Sequence, residues 1–484
     1  MRIALVWFRD DLRLDDHPAL RAATEAGYLP LPVYIHAPEE EGGWAPGAAS
    51  EAWRHRSLRA LDAMLRARRS RLRIFRGPSL QTLQSLLAAT DAEAVFWNRR
   101  YEPAIEQRDA AIKRALRRQG ARAESFNGAL LFEPWQLATR RGDPYRAFAP
   151  FWTSARAAWR EPAPWDAPGG FDALPDEDAI PHGLALDALR LAPARGWDDG
   201  FWERFVPGER GARDALSAFV EGALHGYRDT RDVPAARGTS RLSPHLHFGE
   251  VSVARVAATV RASVDAPPAD VERFLGELGW REFSYHLLHH FPQTVDTSLD
   301  PRFDDFPWAP PAPARLRAWR RGATGVPIVD AGMRQLRSTG WMHNRVRMIV
   351  ASYLTKHLRM HWLHGARWFW AALVDADLAS NTLGWQWIAG TGADAAPYFR
   401  IFNPVVQARR FDPDGAYVAR WLPELAALPP PLRFAPWEDP AALRRAAPAY
   451  PRRPLVDPAA GRAAALEAYA KVRGPRRARA SGFD

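Results

Sequence analysis

Short apolar runs alternate with amphipathic stretches through the first 130 residues. The apolar runs, which are rich in aliphatic and aromatic residues, cover residues 3–8, 29–35, 72–75, 95–97 and 121–126. Between them, apolar residues recur at helical spacing over residues 17–26, 50–68, 79–90 and 103–119. Strands that alternate with helices indicate a parallel sheet with helices on both faces. We therefore predict a Rossmann-like α/β domain with a five-stranded parallel sheet over residues 1–130.

The pattern changes after that domain. Residues 131–207 are punctuated by proline and glycine, which predicts a long interdomain connector along the surface. From residue 208 the periodicity is almost entirely helical, with helices predicted at 213–221, 251–263, 271–290, 314–320, 328–338 and 345–361. We predict an all-helical domain over residues 208–470 and a short basic tail over 471–484.

Composition narrows the class of protein. The 484 residues are 47% hydrophobic and 25% charged, as in soluble proteins of several domains. Without an apolar stretch of 18 residues or a signal-peptide cleavage site, we expect no membrane partner and a cytoplasmic location. The absence of cysteine excludes disulfides, thiolate metal sites and cysteine nucleophiles, and we predict no metal site. The net charge of +11 favours anionic partners such as nucleic acid, although heavy use of arginine throughout the chain weakens that argument.

The first candidate for chemistry is a hydroxyl-rich loop. Thr239, Ser240 and Ser243 precede a predicted helix that begins near Pro244. Hydroxyls and backbone N–H groups at a helix start can hold phosphate oxygens. An ordinary helix cap formed by Ser243 is the structural alternative.

A second candidate is one face of the helix predicted at 271–290. Glu277, Trp280, Arg281 and Ser284 share this face at 3.6 residues per turn. The indole could stack on a base while the guanidinium meets a phosphate and the carboxylate accepts a base N–H. The alternative is a solvated i,i+4 pair of Glu277 and Arg281 beside a core tryptophan.

The third candidate lies further along the chain. Trp341, Asn344 or Arg345, and Met348 share a helical face, whereas His343 is interpreted as structural. Asp375, Asp377 and Asn381 follow, and because Asp375 does not share the face of the other two, this segment is partly non-helical or surrounds a bound object. The two carboxylates could be a glycosidase-like acid and base, but we favour contacts to ring N–H and ribose hydroxyl groups.

These motifs together resemble the photolyase/cryptochrome family, most closely a bacterial class I-type photolyase of cyclobutane pyrimidine dimers. The resemblance runs from residue 2 to about 470 and includes WFRDDLRLDDHPAL at 7–20, TSRLSP at 239–244, PIVDAGMRQLRSTGWMHNRVRMI at 327–349 and DADLASNTLGWQW through TGADAAPYFRIFNP at 375–404. It implies a helical domain that holds FAD, which when reduced and excited by blue light donates an electron to a dimer flipped out of DNA. UV-damaged DNA would be the partner of a monomeric enzyme that associates with the nucleoid when DNA-bound.

The resemblance also assigns roles to individual residues. Contacts to FAD are implied for Tyr227, Thr239, Ser240, Arg241, Leu242, Ser243, Asn344, Arg347, Asp375, Asp377 and Asn381, with Arg347 paired to Asp375 and Asn381 facing the flavin N5. The dimer pocket would contain Glu277, Trp280, Asn344, Met348 and Trp387. Contacts to the DNA backbone are implied for Arg231, Arg281, Arg345, Arg400 and Gln407. A tryptophan relay that reduces oxidised flavin would comprise Trp385, Trp362 and Trp308.

The same resemblance bears on the branch and on a second chromophore. Asn381, Met348 and Glu277 favour dimer repair over a cryptochrome-like photoreceptor, and Asn344 stands where (6-4) photolyases carry a second histidine. An antenna chromophore is expected in the α/β domain, with 5,10-methenyltetrahydrofolate first, a deazaflavin second and an empty site third. The folate-contacting Asn-Glu pair of some relatives is replaced near Ala104 and Ile105, and the loop 42–47 occupies the expected rim.

Overall fold

A computed structural model describes residues 2–161, 163–172, 174, 180–193, 196–394 and 399–472. The chain folds into two compact units. Unit 1 comprises Met1–Val295, Arg334–Arg345 and Arg367–Thr382, and unit 2 comprises Asp296–Met333, Val346–Ala366 and Leu383–Asp484. This division groups the α/β region with the helices up to Val295, so the domain boundaries at 130 and 207 remain a prediction. The basic tail lies outside the described residues from 473 onward.

The predicted parallel sheet is present in unit 1. Its strands are β1 Arg2–Phe8, β2 Tyr28–His36, β3 Arg73–Arg76, β4 Ala94–Asn98 and β5 Arg122–Phe126. They pair in the order β3-β2-β1-β4-β5, and all the pairings are parallel. The five-stranded α/β prediction is therefore confirmed.

Both faces of the sheet are buried, as the continuous apolar runs of its strands require. Val6 and Phe8 of β1 belong to one apolar cluster, and Leu5 and Trp7 belong to another. This alternation follows from the two-residue period of a strand. The prolines at positions 30 and 32 fit into β2 because β3 pairs only with Val33–His36, so that side of the strand has no neighbour at either proline.

Helices surround the sheet, and the connector also contributes structure. The helices of the α/β region are α1 Pro18–Glu25, α2 Ala48–Arg66, α3 Ser79–Thr90 and α4 Pro103–Arg118. The predicted connector contains α5 Phe148–Ala157 and α6 Asp199–Trp202. It buries Phe171, Phe201 and Phe205 in the apolar cluster on one face of the sheet. The connector therefore also contributes side chains to the core, which its proline and glycine punctuation did not predict.

The rest of the described chain is helical. Unit 1 continues with α7 Glu209–Ala218, α8 Tyr227–Thr230, α9 Ser243–His247, α10 Val253–Arg261 and α11 Pro268–His290. The later helices are α12 Pro313–Arg321, α13 Pro327–Thr339, α14 Asn344–Ser352, α15 Trp362–Ala372, α16 Leu378–Ala389, α17 Pro404–Phe411, α18 Ala416–Trp421, α19 Pro430–Phe434, α20 Pro440–Ala446 and α21 Pro458–Val472. Within the described ranges no strand follows Phe126, which confirms the all-helical prediction, and no helix is long and apolar enough to cross a membrane.

The helix predicted at 345–361 ends earlier than its periodicity suggests. α14 stops at Ser352, a π-helical turn covers Tyr353–His357, and Arg359 adopts a left-handed conformation with φ of 50°. A left-handed residue commonly terminates a helix. The chain therefore turns before α15 begins.

Candidate functional site

The loop 238–243 is built tightly in unit 1. A Cβ on Gly238 would lie 2.6 Å from the carbonyl oxygen of Thr230, so glycine is required at this close approach. Arg241 has a φ of 54°, a conformation that side-chain-bearing residues adopt at a cost and that often occurs at functional sites. Ser240 Oγ accepts the N–H of Leu242 at 3.3 Å, and Leu242 is buried in the same apolar cluster as Tyr227.

Trp341 supports this loop and was not among the predicted site residues. Its Nε1–H donates to Ser243 Oγ at 3.3 Å, and the Arg241 guanidinium lies 5.5 Å from its ring centroid. The ring is 8% exposed. Its position before α14, rather than on the helical face assigned from spacing, explains why periodicity did not reveal this contact.

Two ion pairs of unit 1 join the segment after α8 to the middle of α11 and to the start of α14. Arg231 Nη2 lies 2.9 Å from Glu277 Oε2, and Arg345 Nη2 lies 2.6 Å from Asp232 Oδ2. Glu277 also pairs with Arg273 at 3.3 Å. We call Arg231, Asp232, Glu277 and Arg345 the charged cluster. The predicted alternative, a solvated pair of Glu277 and Arg281, is wrong because Glu277 pairs with these other arginines.

Burial changes the ionisation of this cluster. Desolvation raises the pKa of the Glu277 carboxyl above its usual range, although Arg231 and Arg273 act to lower it. Desolvation acts to lower the pKa of Arg231, but Glu277, Tyr227 and Asp232 together outweigh it, and the pKa of this guanidinium is raised. The pairing thus keeps a cation in a position that is only 8% exposed.

Trp280 and Arg281 follow Glu277 on α11, but their surroundings differ. Trp280 stacks on Phe148 of the connector with ring centroids 3.8 Å apart and an interplanar angle of 9°. Arg281 donates to the Ala129 carbonyl at 2.9 Å and lies 3.2 Å from Glu282. Its side chain is 13% exposed, so a contact to DNA phosphate would require it to leave these partners.

Asp377 lies at the centre of a second set of polar contacts in unit 1. Its Oδ1 accepts the N–H of Ser380 at 2.7 Å and caps α16, and its Oδ2 accepts the hydroxyl proton of Tyr285. His247 Nδ1 lies 3.9 Å from Oδ2. Burial acts to raise the pKa of this carboxyl, but His247, Arg281 and Tyr285 together hold the pKa well below its usual range. The carboxylate therefore remains ionised in a buried site.

The start of α16 also explains the spacing of the predicted carboxylates. The backbone N–H of Asn381 donates to the Asp377 carbonyl at 2.8 Å, so these residues are one helical turn apart. Asp375 precedes the helix, and its carbonyl accepts the N–H of Asp377 at 2.8 Å. The predicted partly non-helical segment is confirmed.

The three tryptophans of the predicted relay all belong to unit 2. Trp385 packs on Gly365, where a Cβ would lie 2.0 Å from its ring. Trp362 begins α15 and is fully buried, whereas Trp308 is partly exposed. Trp385 and Trp362 are therefore interior residues, and Trp308 is the member of the three that water can reach.

The other predicted site residues of unit 2 are less constrained. The Arg400 guanidinium lies 4.7 Å from the ring centroid of Trp387, and Arg400 is exposed. Gln407 lies on α17, and Arg347 and Met348 lie on α14, all partly exposed. In unit 1, Asn344 is exposed at the start of α14. Residues 395–398 of the predicted motif lie outside the described part of the chain.

A cleft of about 350 Å³ lies at the carboxyl ends of β1 and β2, where ligands of open α/β sheets commonly bind. Trp7, Tyr34 and Glu51 line it, and burial raises the pKa of Glu51 to about 7. Among the described atoms, Trp7 Nε1 has no hydrogen-bond partner. The Trp7 N–H is a hydrogen-bond donor, and the Glu51 carboxyl group can donate when protonated and accept when ionised. Together they could bind the polar edge of a flat heterocycle.

The loop 42–47 beside this cleft is held in place. Arg367 lies 3.6 Å from the ring centroid of Trp44, and Trp370 Nε1–H donates to the Ala45 carbonyl at 2.7 Å. A Cβ at Gly42 would lie 3.4 Å from Ala104, one of the positions where the folate-contacting pair is replaced. The rim predicted from the sequence is therefore an ordered loop fixed by cation–π and hydrogen-bond contacts.

Comparisons with known proteins agree with these features. Residues 4–168 match the family model of DNA photolyase, and residues 274–471 match that of the FAD binding domain of DNA photolyase. The deoxyribodipyrimidine photo-lyase of Agrobacterium fabrum is 46% identical over 97% of this chain and 98% of its own length. Cryptochrome-1 of Arabidopsis thaliana is 39% identical over 92% of this chain and 66% of its own length.

A solved structure shows the same fold. The crystal structure of a bacterial class III photolyase from Agrobacterium tumefaciens superposes with a TM-score of 0.92 at 46% identity, covering 98% of each chain. The predicted class I type differs from the class III description of this relative.

Proposed function

This chain belongs to the photolyase/cryptochrome family, and we propose that it is a deoxyribodipyrimidine photo-lyase that uses light to split cyclobutane pyrimidine dimers in DNA. The observation that carries the proposal is the partly buried charged cluster of Arg231, Asp232, Glu277 and Arg345 in a chain with 46% identity to a photo-lyase. In a light-driven lyase the residues bind and orient the reactants, and no nucleophile is needed.

The residues of unit 1 fit FAD. The loop 238–243 presents the Thr239 and Ser240 hydroxyls on a backbone held in an uncommon conformation, which suits phosphate and ribityl oxygens. The ionised Asp377 offers a buried acceptor for N–H or hydroxyl groups of the cofactor. In the same unit, proposed contacts also come from Tyr227, Arg241, Leu242, Ser243, Asn344, Asp375 and Asn381. The resemblance to the family adds Arg347, which belongs to unit 2. When bound and reduced, FAD would supply the electron for dimer splitting after it absorbs blue light.

The substrate would meet a donor, an acceptor and stacking rings. Glu277, whose pKa burial raises, would share a proton or accept a hydrogen bond from a pyrimidine N–H. Trp280 has one ring face covered by Phe148, which fixes the indole for stacking of a flipped base on its other face. Asn344, Met348 and Trp387 would complete the pocket, and Arg231, Arg281, Arg345, Arg400 and Gln407 would contact the DNA backbone.

We further propose a second chromophore at the cleft lined by Trp7, Tyr34 and Glu51. The N–H of Trp7 and the carboxyl group of Glu51 complement the alternating acceptors and donors of a pterin edge, so 5,10-methenyltetrahydrofolate is the first candidate. A deazaflavin carries a similar edge and is the second. Extraction of the purified protein and chromatography of the released chromophore would identify it, and extraction of FAD alone would contradict this part of the proposal.

The competing function is that of a photoreceptor that does not repair DNA. It is supported by the 39% identity of this chain to a plant cryptochrome. The two functions differ in turnover. Purified protein with reduced FAD is offered oligonucleotides that contain a cyclobutane dimer, a (6-4) photoproduct or no damage, in blue light and in darkness. We expect light-dependent repair of the cyclobutane dimer alone. Repair of the (6-4) photoproduct would reassign the substrate, and repair of neither would favour the photoreceptor.

A further inference from the structure

An imidazole ring lies between two tryptophans of the proposed relay. The His361 ring centroid lies 5.1 Å from that of Trp308 and 5.6 Å from that of Trp362. The ring is nearly parallel to Trp362, at 29°, and meets Trp308 edge-on, at 67°. We propose that His361 is a bridging residue that carries electronic coupling between Trp308 and Trp362, an inference that rests on the proposed function.

The backbone holds His361 at this position. Arg359 is left-handed with φ of 50°, and its carbonyl accepts the N–H of Ala309 at 2.7 Å, which ties the segment after Trp308 to the turn before α15. His361 then caps α15, because its Nδ1 accepts the N–H of Leu363 at 3.2 Å. The cap sets the ring orientation, so the contact with both indoles does not depend on a freely rotating side chain.

The same cap determines what the imidazole can do. Since Nδ1 accepts a hydrogen bond, the neutral ring carries its proton on Nε2 and has no free lone pair for the proton of a neighbouring indole. Burial lowers the pKa of His361, and His364 lowers this pKa further, which favours the neutral ring. A neutral ring adds no positive charge beside an oxidised tryptophan.

Trp362 is suited to pass a positive charge without losing a proton. It is fully buried, and its Nε1 has no hydrogen-bond acceptor among the described atoms. After Trp362 has lost an electron, its radical cation is reduced by an electron from Trp308. Trp308, which is partly exposed, becomes the radical cation and releases its indole proton to water. An added thiol then supplies an electron and a proton and restores Trp308.

Three substitutions separate the ring from the cap. His361→Asn retains a side-chain acceptor for Leu363 N–H and removes the ring, His361→Phe retains a ring and removes the acceptor, and His364→Asn removes a nearby imidazole that caps nothing. Each protein is checked for FAD content and thermal unfolding. Transient absorption after a laser flash then measures how fast the positive charge moves from Trp362 to Trp308 in the oxidised holoprotein.

We expect His361→Asn to slow this transfer about tenfold, equivalent to about 1.4 kcal/mol of barrier, with His361→Phe and His364→Asn close to the unchanged protein. Transfer in His361→Asn at the original rate would overturn the proposal. Equal slowing in His361→Asn and His361→Phe would also overturn it, since the cap and not the ring would then matter. Repair by the chemically reduced, unsubstituted protein is measured in parallel. Its absence would remove the proposed function without deciding the radical kinetics.

Discussion

The charged cluster of unit 1 consists of ionised side chains. In contrast, the ring path of unit 2 consists of the aromatic rings of Trp308, His361 and Trp362. The first contains ion pairs at 2.9 and 2.6 Å between side chains that are largely buried. In the second, neighbouring rings lie at centroid distances of 5.1 and 5.6 Å, and burial lowers the pKa of the imidazole, which favours its neutral form. Binding polyanions requires fixed charge, whereas moving an electron requires rings with nothing nearby to trap a proton or repel a positive charge.

Lys356 of unit 2 is a second basic side chain near the ring path whose surroundings disfavour a positive charge. This side chain is 1% exposed, donates to the Ala389 carbonyl at 2.5 Å and lies over the ring of Phe399. Burial lowers its pKa well below the usual range, and within the described chain no carboxylate pairs with it. Phe399 in turn contacts Phe306, which lies 4.5 Å from Trp308. The lowered pKa favours the neutral amine, which would keep positive charge away from the Trp308 end of the proposed relay.

The largest effect on stability and flavin binding is expected from removing the Asp377 carboxylate in unit 1. Asp377→Ala would remove the cap of α16 and leave Tyr285 and His247 without their buried acceptor, a loss on the order of 3–5 kcal/mol. We expect protein purified from this variant to lack bound flavin and repair activity. The ratio of flavin to protein absorbance measures the first, and Tyr285→Phe, which removes a single hydrogen bond, is the milder control. Full flavin content in Asp377→Ala would remove Asp377 from the cofactor site.

The second largest effect is expected from a substitution that changes the ring path alone. Trp362→Phe replaces a redox-active ring with one that is hard to oxidise and leaves the charged cluster untouched. We expect light-driven reduction of oxidised flavin in the presence of a thiol to slow by more than about tenfold, equivalent to at least about 1.4 kcal/mol of barrier. Chemically reduced protein would still repair dimers. Photoreduction at the original rate would show that the electron takes another route.

A smaller effect is expected from the charged cluster itself. Arg345→Ala should weaken binding to damaged DNA and reduce the slope of log K against log salt by about 0.9, the value for one phosphate contact. Arg444→Ala on α20 removes an equally charged, exposed side chain and is the control. A binding isotherm at several salt concentrations provides the slope. An unchanged slope in Arg345→Ala would mean that Arg345 contacts no phosphate.

The smallest effect concerns the buried amine of Lys356 and the pH dependence of the free energy of unfolding. Because the folded-state pKa of Lys356 lies below its unfolded value, the unfolded chain binds a proton that the folded chain does not. Between those two pKa values this group therefore makes the protein more stable as pH rises, by up to about 1.4 kcal/mol per pH unit. Denaturant unfolding of the original protein and of Lys356→Met should show this slope only in the former. Identical pH dependence in both would mean that Lys356 is charged in the folded protein.

Local patterns predicted much of this architecture, and long-range contacts limited the rest. The strands were identified because buried parallel strands are continuous apolar runs, and the one-turn relation of Asp377 and Asn381 follows from helical geometry. The pairing of Arg231 with Glu277 joins residues 46 positions apart, as their numbers show, and no periodicity reports such a contact. Phe148 on Trp280 and His361 between two tryptophans were missed for the same reason, since each depends on how separate segments pack.

Light-driven dimer repair is measured directly by following a thymine-dimer oligonucleotide incubated with purified protein whose FAD is fully reduced. Chromatography measures intact thymine restored under blue light and in a matched dark sample. We expect restoration in light and none in darkness, with the same dependence on light when Trp362 is replaced by phenylalanine. No restoration in light, despite bound and reduced FAD and measured binding of the damaged oligonucleotide, would contradict it.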